Sequence, residues 1–168
     1  MTNIERYDIN AEYSFTVSES IDPDYKITSK ISVWLKENLE TLKDDNEDII
    51  FNKVNFGYNE DSLKGFGNKP VCDVYTHKVE YSEDFDAYPA ESVYSIIIFY
   101  MKGANNKAYL KACDLHDYLI QEFIKNRSFR FLEDTVRDTC ILNSELMNQP
   151  INKKWGVMGV LELSHELY

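Results

Sequence analysis

Three cysteines and three histidines are the side chains best suited to nucleophilic or metal chemistry in this 168-residue chain. Cys113 and His116 stand three apart, a spacing that puts both on one face of a helix. That is half of a zinc site, which needs about four ligands. No second C-x-x-H and no H-E-x-x-H follows in the sequence. Cys72 and His77 differ in strand parity and are expected on opposite faces of a sheet. A Cys-His-Asp hydrolase could be assembled from Cys113 or Cys140 with His77 or His165, yet no spacing or flanking glycine marks a nucleophile. The residues favour cysteine as a small buried hydrophobe. No catalytic, cofactor-binding or metal-binding residue is assigned, and the chain is read as a non-enzyme.

The charged and glycine-containing stretches carry no clearer chemistry. An EF-hand loop opening at Asp44 would need glycine at position 49 and glutamate at position 55, where Ile49 and Asn55 stand. Asp44 to Asp48 therefore reads as a solvated turn. Gly65-Phe66-Gly67 lacks a third glycine, and no helix follows to receive a phosphate. Lys125, Arg127 and Arg130 form the one basic cluster, and cations at a helix C-terminus complement its dipole. A net charge of −11 argues against gripping nucleic acid through its phosphates. It leaves open a wall that nucleic acid merely passes, since acidic walls repel the backbone.

The stretch from Tyr94 to Lys125 organises these residues. Tyr94 to Met101 is an apolar run rich in β-branched and aromatic residues, expected to be a buried central strand. Asn105 and Asn106 then offer caps to a helix whose stripe is Ala108, Ala112, Leu115, Leu119 and Phe123. An earlier helix, capped at Ser20 or Asp22, carries Ile27, Ile31, Trp34, Leu35, Leu39 and Leu42. Strands are expected at Ile49 to Tyr58, with Ile50, Val54 and Phe56 inward. The next opens at Pro70, with Val71, Asp73, Tyr75, His77, Val79 and Tyr81 on one face. Two more follow the second helix: Thr135 to Leu146, interrupted by Pro150, and Trp155 to Leu167. In the last strand Gly159 leaves a gap in the row Val157, Leu161 and Leu163, and the expected contact is with the second helix. Three consecutive strands with short connections are most simply antiparallel. The expected fold is α+β, a mainly antiparallel sheet with two amphipathic helices packed on one face. It forms a single domain over residues 1–168, with residues 1–20 as a loosely attached arm.

A hydrophobic fraction of 43% supports a core for one such domain. The odd, scattered cysteines fit a reducing compartment. No signal peptide or membrane span is visible, so a cytoplasmic protein is expected.

The order of elements over residues 24–167 resembles the tail terminator (tail completion) proteins of tailed phages and related phage-tail-like particles. Carrying the resemblance are the first helix, the strand opened by Pro70, the run Ile97-Ile98-Phe99-Tyr100-Met101-Lys102-Gly103 with its helix, and Trp155 to Leu163. It implies a subunit that assembles as a homo-oligomer, typically a hexameric ring. The ring would cap the head-proximal end of the tail tube and end its growth. It would face the neck or connector and, in contractile systems, the sheath, with DNA only as lumen cargo. It would occupy the host cytoplasm during assembly and then the virion or tail-like particle. Asn59 to Lys69 and Ser82 to Glu91 are the candidate tube-reaching loops. A neck or head-completion protein of the same particles is the near alternative. A small enzyme or regulatory binding domain using the Cys113/His116 face is the alternative of a different class.

Overall fold

The structure, a computed structural model, describes residues 27–57, 69–83, 90–103, 105–151 and 154–168. The expected N-terminal arm, Gly65-Phe66-Gly67 and most of the two candidate loops lie outside the described residues. Helix α1 spans Ile27–Thr41, followed by strands β1 (Lys53–Phe56), β2 (Val71–Tyr81) and β3 (Ala90–Lys102). Helices α2 (Asn106–Lys125) and α3 (Arg127–Arg130) come next, then β4 (Val136–Ile151) and β5 (Lys154–Leu167). The five strands form one sheet in the order β1-β2-β3-β5-β4. The fold is α+β with a mostly antiparallel sheet.

The central position belongs to β3, whose alternation buries both faces. Val93, Ile97 and Phe99 join the stripes of α1 and α2 in the main core, whereas Ile98 and Tyr100 cluster with Val71 on the other face. No described helix residue belongs to that second cluster. Both long helices therefore lie on one side. In α1 the stripe buries Ile31, Trp34, Leu35 and Leu39, and in α2 Ala112, Leu115, Leu119 and Phe123. Each fully buried leucine contributes about 1.5–3 kcal/mol relative to an exposed one. The turn into α2 has a local cause. Gly103 adopts φ +135°, and a Cβ there would overlap the Cβ of Ala108. Asn105 then caps the helix, its side chain accepting from the Ala108 N–H at 2.9 Å.

The sheet differs from the sequence expectation at four places. β1 pairs with β2 in parallel, with Lys53 opposite Val71 and Phe56 opposite Val74. Residues 57–70 supply the connection of about a dozen or more residues that parallel neighbours require. β1 is also shorter than the expected Ile49 to Tyr58, because Lys43 bridges Ile49 across a turn. The burial pattern shifts with it: Phe51 and Val54 are buried, Ile50 only half-buried, and Phe56 is 52% exposed.

In β2 the expected single face is broken by a bulge. Thr76 pairs with Ser95 and Lys78 with Tyr94, which leaves His77 as the extra residue. Val71 and Tyr75 consequently belong to the second face, while Val79 packs on the main core. Next, β4 does not stop near Leu146 but runs to Ile151, with Pro150 opposite Trp155. Proline is tolerated there because β4 is the edge strand. Finally, the row Val157, Gly159, Leu161 and Leu163 does face the core, but Gly159 meets its neighbour strand rather than α2. Gly159 lies opposite Phe99 on β3. A Cβ at 159 would overlap two carbons of the Phe99 ring and come 2.8 Å from Cδ1.

Candidate functional site

The cysteines and histidines singled out by sequence are not brought together. Cys72 is buried in the main core, and burial pushes its thiol well up, helped by the Asp73 carboxylate. Such a thiol is no nucleophile. His77 is on the second face with its ring 6.2 Å from Tyr75 and 6.5 Å from Tyr94, so the expected opposition to Cys72 holds. Cys113 and His116 share a side of α2, but each has turned to a neighbour. Cys113 lies beside the Tyr109 hydroxyl and raises its pKa, and His116 Nδ1 lies 3.1 Å from the Asp117 carboxylate. Among the described residues no third ligand joins them. Cys140 is exposed and pairs with Ser164, one step along β4 from the residue that meets His165. Strand alternation turns the Cys140 side chain away from that histidine.

The charged stretches are likewise committed to local structure. The Asp44 carboxylate accepts from the N–H groups of Asn46 at 2.8 Å and Asp48 at 3.0 Å. A cleft of about 590 Å³ beside it holds Lys69 and Tyr118, which donate to the carbonyls of Ile49 and Lys43. The basic cluster is dispersed. Arg130 grips Asp138 through two bonds of 2.9 Å and donates to the Ile124 carbonyl at the end of α2. Arg127 lies over the Phe131 ring at 4.5 Å. The helix-terminal reading of this cluster therefore suits Arg130 best.

Sequence reasoning missed a buried polar chain, in which five side chains from five elements meet under the helices. Ser32 Oγ of α1 lies 2.8 Å from Thr76 Oγ1 of β2, which lies 3.2 Å from Ser95 Oγ of β3. Ser95 Oγ is 3.0 Å from His165 Nε2, and His165 Nδ1 is 2.9 Å from Thr139 Oγ1 of β4. Thr139 in turn donates to the Arg130 carbonyl of α3 at 3.1 Å.

A hydroxyl has one proton, so the direction of the chain follows. Thr139 spends its proton on Arg130 and must accept from His165 Nδ1–H. His165 Nε2 is then the acceptor for Ser95, Ser95 for Thr76, and Thr76 for Ser32. Burial holds the His165 pKa down at about 3, and the Trp34 ring packs edge-on at 5.6 Å. Ser95 and His165 have the reach of a nucleophile–base pair. Both are 0% exposed, however, and no substrate atom can approach the serine. The signal available in sequence was Ser95, a polar residue inside a run expected to be buried, which calls for a partner.

Exposed large apolar side chains among the described residues include two pairs at the edges of the sheet. At the β1 edge, Val33 of α1 is 42% and Phe56 52% exposed. At the other edge, Ile124 of α2 and Leu142 of β4 are each 55% exposed. A groove lined by Ile120, Phe123, Ile124 and Ile141 runs between α2 and β4. From Thr139 to Asn148 the edge strand carries one charge, Glu145, where edge strands are usually guarded by several. No described helix is long and apolar enough to cross a membrane. A scan against protein-family models finds no match to the chain, and a search of curated proteins finds none.

Proposed function

We propose that the chain is a structural subunit of a phage tail or tail-like particle. It assembles head to tail into a ring that caps the head-proximal end of the tail tube and ends its growth. The observation that carries this reading is the pair of unlike apolar surfaces at opposite edges of one sheet, Val33 with Phe56 and Ile124 with Leu142. A ring requires heterologous contact, in which one patch meets a different patch of the next copy and rotation closes the series. A two-fold dimer would need one self-complementary patch instead. The resemblance in element order to tail terminator proteins supports the same reading. So does the net charge of −11, which suits a lumen that nucleic acid passes without sticking.

No substrate-accessible constellation competes with this role among the described residues, since the best-aligned nucleophile–base pair is sealed in the core. The test is assembly. Light scattering with and without tail tube should find a species several times the 19.7 kDa protomer, and electron microscopy should show it as a ring with a central hole. A strict monomer in both conditions would overturn the proposal.

A further inference from the structure

The buried polar chain joins six of the eight elements, and its direction is set at one end. Arg130 offers a carbonyl, which can only accept, so Thr139 must donate to it. That single constraint fixes the tautomer of His165, with the proton on Nδ1 and a bare Nε2 facing Ser95. Thr76, Ser95 and Thr139 then each have one donor role and one acceptor role, and Ser32 donates to Thr76. The far end, Ser32, is half-buried and lines a groove with Val33, Phe56 and Thr76 at the β1 edge.

Addition of one proton changes this arrangement throughout. A charged imidazole has two N–H groups and no acceptor, so Ser95 must rotate its proton away from Nε2. Thr76 and Ser32 would have to turn in sequence, and the last proton would need an acceptor in the groove. Among the described residues the new charge would find no counter-ion, burial being the one influence on the imidazole. The Trp34 ring of α1 packs on His165, and the core side chains that α1, α2 and α3 contribute on this side of the sheet, Ile31, Leu119, Phe123 and Phe129 among them, do not ionise. The nearest charged groups along the strands are Asp138 and Glu166, and each is already taken, by Arg130 and Arg137. A buried charge without a partner is strongly disfavoured.

We propose that the Ser32–Thr76–Ser95–His165–Thr139 chain is a proton-operated latch, which holds α1, α3 and four strands together only while His165 is neutral. Release hydrates the imidazole by lifting α1, which carries both the Trp34 ring over His165 and the Ser32 outlet. The latch is independent of the ring reading, and a monomer would show it equally.

The sign follows from the folded pKa of about 3 against the ordinary histidine value of 6.5. Unfolding takes up one proton between these limits, so the latch is complete above pH 6.5 and weakens as pH falls towards 3. The extra gain in the unfolding equilibrium constant should grow as pH falls below 6.5 and approach about tenfold per pH unit between roughly pH 5.5 and 4. Urea unfolding of wild type and His165→Gln at pH 7, 6 and 5 tests this. The amide of glutamine offers an NH2 that donates and a carbonyl oxygen that accepts but does not titrate, and the carboxylates are common to both proteins. The wild type should lose stability more steeply, by about threefold in the unfolding constant from pH 7 to 6 and about eightfold from pH 6 to 5, and parallel slopes would overturn the latch. Should His165→Gln fail to fold, ring 15N and 13C shifts of His165 in the wild type decide. At pH 7 and pH 5 the folded protein should show a neutral ring protonated on Nδ1. An imidazolium at pH 5, or a proton on Nε2, would refute it.

Discussion

Replacing Gly159 by valine tests the closest contact in the sheet. Gly159 sits opposite Phe99, whose ring is fully buried over the bare glycine backbone. An aromatic ring laid across a glycine of the next strand is a recognised way to fill the gap. Valine would place its Cβ inside that ring, so the Phe99 side chain must move within a packed core. Overpacking of this kind costs about 1–3 kcal/mol, and a direct overlap belongs at the upper end. The strand preference of valine returns at most about 1 kcal/mol. The net loss should be about 2 kcal/mol, which in a domain of this size lowers Tm by about 4–8 °C. Circular dichroism melts of Gly159→Val, Phe99→Leu and the double variant provide the assay. Leucine vacates part of the ring space, so the double variant should be more stable than the sum of the single losses by about 1–2 kcal/mol. An unchanged melt for Gly159→Val, or strict additivity of the pair, would refute the packing argument.

Asn105→Ala removes the N-cap of α2 and should cost about 1 kcal/mol, read by urea unfolding. Arg130→Ala breaks a two-bond grip on Asp138 that is about half exposed; the expected loss is about 1 kcal/mol, and an unchanged denaturation midpoint would show that the pair contributes nothing. Duplex DNA should fail to bind even at low salt, where phosphate contacts are strongest, and a tight, steeply salt-dependent complex would contradict the charge argument. Val33→Asp and Leu142→Asp lie at exposed positions, so each should leave the melt within about 1 kcal/mol of wild type while abolishing self-association in sedimentation.

The helices and the central strand were legible because their periodicities are uninterrupted. Ile31, Trp34, Leu35 and Leu39 repeat at helical spacing and are all buried, as are Ala112, Leu115, Leu119 and Phe123. Asn105 was readable as a cap for the same reason, being a short polar residue just before the stripe. The misread places are those where tertiary pairing overrides a local pattern. Alternation in β2 gives no sign that His77 is a bulge, because the bulge is defined by what stands opposite it on β3. The parallel pairing of β1 depends on where residues 57–70 return the chain, which periodicity does not encode. Pro150 would end a central strand, and only the sheet order shows that β4 is an edge. The buried chain was invisible for a further reason: Ser95, Thr139 and His165 are far apart in sequence, and only the strand register brings their side chains together.

Head-to-tail assembly is most directly tested by mixing two variants, each blocked at a different edge. Phe56→Asp spoils the β1 edge and Leu142→Asp the β4 edge, and both positions are exposed. In sedimentation each variant alone should remain at the 19.7 kDa protomer, because one edge of every contact is lost. Mixed one to one, they retain a single intact contact between unlike edges and should give a species of twice that mass and no larger, while wild type continues to the ring. Assembly of either variant alone to the wild-type size, or a mixture that stays monomeric while wild type assembles, would contradict the ring built from unlike edges.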